Sequence, residues 1–178
     1  MKFRYKVTLC MISMIAFIFG IGGTFLLYSS FQSSINREKI SAIKTFDMVL
    51  HTFSLLSQET AWTTASEISN DFGKIVEQND LFTAISLHKG KELIYKSSNF
   101  VSNMEEMDDK ADYRNVAYKI IRSENNRYIQ LCSVIKAENV DLYIDALYDV
   151  TNVYEQRKEL QRLYIAVFLL VVTCSAVF

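Results

Sequence analysis

The sequence predicts an α+β fold: a five-stranded antiparallel sheet preceded by long helices and flanked by two membrane-spanning segments. Three observations predict it. Residues 7–28 and 163–178 contain no Asp, Glu, Lys, Arg or His, so the 19 basic and 20 acidic side chains all lie elsewhere. Between those blocks the apolar spacing is helical as far as Asn79-Asp80, and it then alternates with a period of two as far as Val150. The chain has no proline, so its helices lack their strongest breaker.

The first apolar block, Val7 to Tyr28, would as a helix reach about 33 Å against a hydrocarbon core of about 30 Å. Lys2, Arg4 and Lys6 precede it, in the cytoplasmic N-terminus (residues 1–6) that positive-inside topology predicts. A cleaved signal peptide is the alternative, but its apolar run would be about 7 to 15 residues ending in small residues. The longer run here, with no Ala-x-Ala pattern, is read as an uncleaved anchor. The last block, residues 163–178, is shorter than the roughly 20 residues a span requires. It is expected to be a second span cut short, with the protein continuing beyond Phe178. Residues 29–162 then face outward. Without Lys2, Arg4 and Lys6 the chain has 16 basic against 20 acidic residues, a net of −4.

Within residues 29–162, the positions Ile35, Lys39, Ala42, Phe46, Val49, Phe53 and Leu56 step by 4 and 3, with Ile43 and Leu50 widening the stripe. That is an amphipathic helix continuing from the membrane, wide enough for a core contact and for a partner helix. Its stripe serves either its own sheet or a homodimer seam. Thr64-Ala-Ser-Glu67 forms a capping box that opens a second helix with Ile68, Phe72, Ile75 and Val76 inward. Thr83, Ile85 and Leu87, a Lys89-Gly90 turn, then Leu93 and Tyr95 make a hairpin. Val116, Tyr118 and Ile120 form a third strand, and Glu124-Asn-Asn126 turns into a fourth with Ile129, Leu131, Ser133 and Ile135. Leu142, Ile144, Ala146, Tyr148 and Val150 form the fifth. Two helices followed by five strands place the helices on one face of an antiparallel sheet. From Asp149–Asn152, whose side chains offer helix caps, the period is helical again and reaches Leu163 without glycine or proline. A shift at the sheet would therefore reach the membrane helix without a soft joint.

Composition excludes several classes. Apolar residues make up 50% and aromatics 13%, which argues against disorder. A net charge of −1 without a basic cluster gives no footprint for nucleic acid. Cys10, Cys132 and Cys174 provide neither a disulfide framework nor zinc spacing.

The anchor, the helix–helix–five-strand order, and the final strand reading Tyr148-Asp-Val-Thr151 before an Arg/Lys/Glu-rich helix resemble the sensor half of a bacterial two-component sensor histidine kinase. The middle segment is similar to the PAS-like, or Cache, extracytoplasmic fold. The resemblance implies a homodimer in the bacterial plasma membrane, contacting lipid, reading an unknown external signal and addressing a response regulator. It also implies a HAMP linker, a phosphoacceptor helix and an ATP-binding domain, with ATP and magnesium needed only there. His51 and His88 lack the His-Glu-x-x-x-Pro context, and no glycine-rich nucleotide loop is present, so these 178 residues are expected to be non-catalytic and to hold no cofactor.

The resemblance places a small ligand between the sheet and residues 97–114. Its walls would include Tyr95, Tyr113, Arg114, Tyr118 and Tyr128, with Arg114 able to clamp a carboxylate in bidentate fashion. Packing tyrosines and a solvated arginine are the plainer reading. Glu105, Glu106, Asp108, Asp109 and Asp112 offer oxygen ligands for a hard cation, or form a solvated loop. His51 falls on the polar side of its helix. His88 stands at a strand end and is a candidate pH sensor, histidine being the side chain type suited to that role. Trp62 is read as an anchor between helices, and Cys132 as a small buried apolar residue or an oxidant-sensing thiol. Other outputs fit the same architecture: a chemoreceptor, a cyclic-dinucleotide enzyme or a two-span scaffold.

Overall fold

The computed structural model describes residues 2–59, 62, 64–78, 82–97, 116–123, 125–137 and 140–177. The elements in chain order are α1 (Lys2–Glu59), α2 (Ala65–Gln78), β1 (Ala84–Lys89), β2 (Glu92–Lys96), β3 (Ala117–Ser123), β4 (Asn126–Ala137), β5 (Val140–Asp149) and α3 (Thr151–Val177). They form two compact units: Met1–Asn36 with Asn152–Phe178, and Arg37–Thr151. The α+β class, the antiparallel sheet of five strands and the long N-terminal helix are as expected.

In the unit Arg37–Thr151 the sheet runs β2-β1-β5-β4-β3, every neighbouring pair antiparallel. The hairpin β1–β2 turns at Gly90, whose φ of 59° lies in the left-handed region that glycine enters without steric cost. The register slips by one residue between Leu87 and His88. Cross-strand partners share a face, so Ile85, Ala146, Leu131 and Tyr118 form one row, with Leu87, Ile144 and Ser133 in the next. This is the face that meets the helices. Tyr95 packs edge-on against Phe72 of α2 at 5.3 Å, while Tyr148 of β5 donates to Glu38 Oε2 of α1 at 2.9 Å.

The helical stripe behaves as its spacing requires: Ala42, Phe46, Val49, Leu50 and Phe53 are buried. Lys39 interrupts it, and its ammonium reaches over the Tyr118 ring, 4.8 Å from the centroid, and donates to the hydroxyl at 3.2 Å. Tyr118 and Ile120, at the edge of this face, are exposed. The capping box forms: Glu67 N donates to Thr64 Oγ1 at 3.3 Å and Thr64 N to Glu67 Oε2 at 3.4 Å. Phe72 and Ile75 of α2 are buried. Trp62 stacks on Phe53 at 5.1 Å and donates to Asp71 Oδ2 at 3.1 Å, the anchor its position suggested.

In the other unit, the first part of α1 and α3 lie antiparallel, since contacts climb α3 as they descend α1. Phe31 meets Tyr154 edge-on at 5.2 Å and the Arg157 guanidinium at 4.3 Å, and further along Tyr164 reaches Phe19 and Gly20. Large apolar side chains of α1, among them Met14, Phe17, Phe25 and Leu26, are exposed. Among the described residues, α1 is the one helix long and apolar enough to cross a membrane.

Candidate functional site

The segment Tyr148-Asp-Val-Thr151 is where the central strand β5 becomes helix, and each polar side chain in it has a structural task. Tyr148 ties β5 to α1 through Glu38, and it meets the Phe82 ring edge-on at 6.3 Å. Burial, followed by the Glu38 hydrogen bond, pushes the Tyr148 hydroxyl above its usual pKa. Asp149 Oδ1 accepts from Thr151 N at 2.7 Å, occupying one of the four amides that a helix start leaves without an internal partner. The Thr151 hydroxyl accepts from Arg127 N at 2.9 Å and donates to Arg127 O at 3.4 Å, and Val150 N also bonds Arg127 O, at 2.9 Å. The helix start is thus fastened to the beginning of β4. No residue separates β5 from the helix start except Val150, itself buried. The strand therefore passes into the helix start without a loop.

The second candidate is the sheet face opposite the helices. One row there is Ser86, Asp145, Cys132 and Ala117; the flanking rows are His88, Tyr143 and Val134, and Ala84, Leu147, Gln130 and Lys119. Alternation alone would place such polar residues in water, yet Ser86, Gln130 and Cys132 are fully buried, as are the Oε1 atom of Gln130 and the Oδ1 atom of Asp145. His88 Nε2 lies 3.0 Å from Ser86 Oγ. Apolar contacts flank the row, with Ala84, Ile121, Tyr128 and Leu147 clustered beside it. The face thus brings a hydroxyl, an imidazole, an amide, a thiol and a carboxylate onto three neighbouring strands, β1, β5 and β4. Sequence reasoning passed over Ser86, Gln130 and Asp145, because a buried polar face and a solvated one have the same alternation.

The sequence-derived wall residues do not share one place. Tyr95 stands on the edge strand β2, against α2, where burial and then the charge of Glu77 raise its hydroxyl pKa. Tyr118 is on the opposite edge strand β3 and faces α1, whereas Tyr128 is buried on the polar side of β4. Tyr113, Arg114, Glu105, Glu106, Asp108, Asp109 and Asp112 lie outside the described residues. Cys132 is buried, as expected of a small apolar residue. His51 is exposed on α1, where it lines a groove of about 420 Å³ with Asp47, Ser54 and Ser133. Among the described residues no group of three or more His, Cys, Asp or Glu side chains is placed to hold a metal ion.

Compared with known proteins, the chain matches no family model and no curated protein.

Proposed function

We propose that the chain is the sensing and transmembrane-signalling part of a membrane-bound sensor histidine kinase of a two-component system. Residues 29–162 are a PAS-like extracytoplasmic sensor, and residues 7–28 and 163–178 are its two spans in the plasma membrane, with the N-terminus cytoplasmic. The observation that carries this reading is the loop-free passage from β5 to α3, fastened by Thr151 to Arg127. A binding event at the buried polar face strains β1, β4 and β5, and that strain reaches the start of α3. The exposed apolar surface of α1 and its pairing with α3 support a helical pair in lipid.

A homodimer along residues 35–56 belongs to the same reading, and the exposed Ile40, Met48 and Leu55 on α1 support it. ATP, magnesium and the response regulator belong to the output steps, not to these residues. Membrane vesicles carrying the full product of the gene, given ATP labelled on the γ-phosphate, test the proposal. The expected result is an acid-labile, base-stable phosphohistidine. A full product that takes up no label overturns the kinase reading.

A further inference from the structure

Tyr164 is the second residue beyond Arg162, the last charged residue of α3, yet its hydroxyl points into another helix rather than toward water. It donates to Phe19 O at 2.5 Å, and Gly20 O lies 3.3 Å away. Both carbonyls already belong to the ladder of α1, so the hydroxyl uses their second lone pairs. The ring occupies a notch at Gly23, where a β-carbon would overlap it. Three residues earlier in α1 the situation is reversed, since a β-carbon on Gly20 would meet nothing within 4 Å. Two glycines one turn apart therefore have different tasks: one supplies a seat and the other supplies none. Beyond the seat in the opposite direction stands Leu27, whose side chain lines the small cavity between the helices together with Leu160.

In lipid, apolar side chains gain nothing by exchanging hydrocarbon for each other, so close packing against small residues and interhelical hydrogen bonds decide where two helices rest. We infer that Tyr164, seated at Gly23, sets the register of the α1–α3 pair and hence the resting position of α3. Shifts of about 1–2 Å are typical where helices slide in switching proteins. A slide that carries the ring out of the Gly23 notch parts the hydroxyl from its carbonyls and drives the ring against side chains that glycine does not have. The seat makes the resting position a discrete state. Its consequence for output rests on the signalling reading above; the register itself does not.

The test uses the full chain in its own membranes with the native cysteines replaced and Cys introduced as Leu27→Cys with Leu160→Cys, read by the rate of disulfide formation. Tyr164→Phe should slow crosslinking about threefold, the scale of an interhelical hydrogen bond in a membrane. Gly23→Ala should slow it at least as much, and Gly20→Ala should leave it unchanged. Wild-type rates in both Tyr164→Phe and Gly23→Ala overturn the inference, as does an equal effect of Gly20→Ala and Gly23→Ala. Vesicle phosphorylation separates the two readings. Altered register with altered phosphorylation supports both, whereas altered register with unchanged phosphorylation supports the seat and counts against transmission through α3.

Discussion

The two faces of the sheet both hold buried side chains, but of opposite chemistry. Toward α1 and α2 the central strands present Ile85, Leu87, Leu131, Ile144 and Ala146; away from them the same strands present Ser86, His88, Gln130, Cys132 and Asp145. The neighbours Ile144 and Asp145 differ only in which way the pleat turns them. The first face holds the fold together through apolar burial. The second spends buried surface on groups that gain little net stability from being there, since a satisfied buried hydrogen bond contributes only about 1 kcal/mol.

The strongest test of this contrast is Ile144→Ala, which should cost about 3 kcal/mol through lost transfer energy and a cavity at a site with no exposure. Denaturant unfolding of the chain in detergent, followed by circular dichroism, measures it. Thr151→Val keeps the shape but removes the acceptor of Arg127 N, and should cost about 1–2 kcal/mol in the same assay while loosening amide-exchange protection at the start of α3. On the polar face, Ser86→Ala should cost only about 1 kcal/mol, and the His88 ring signals in NMR should move. A loss there as large as that of Ile144→Ala would remove the distinction between the faces.

Tyr148 adds a pH test. Its pKa is raised by burial and by Glu38, so the folded state holds the proton more tightly than the unfolded one. Its contribution is therefore fully present below the ordinary tyrosine value near 10 and declines as pH rises through the higher folded value. Tyr148→Phe should flatten the alkaline fall in stability. The smallest effect is expected at Asp71, whose carboxyl is held below its usual value by hydrogen bonds from Lys74 and then Trp62. That contribution is present above about 3.8 and is lost as pH falls through the lower folded value, so the fluorescence of the single tryptophan should titrate below 3.8 and cease to do so in Asp71→Asn.

Much of this was legible in the residues. The apolar positions assigned to the strands from their alternation, from Ile85 to Tyr148, are the positions on the helix-bearing face, because period two is a property of the backbone that any sheet preserves. Thr64 and Glu67 cap α2 as their spacing demands, since both partners lie within one helical turn. The strand alternation did not separate the two edges, so Tyr118 and Ile120 match Leu131 and Ile129 in pattern but stand exposed.

The amino-acid order by itself determined what acts over short separations: the helical and strand periods, the caps, the turn at Gly90 and the uncharged blocks. Only the tertiary structure decided that Ser86, Gln130 and Cys132 on the polar side of the sheet are buried, that Thr151 reaches Arg127 across 24 positions, and that Gly23 rather than Gly20 receives the Tyr164 ring. Those outcomes depend on which strands become neighbours and on how closely two helices approach, and no local spacing encodes either distance.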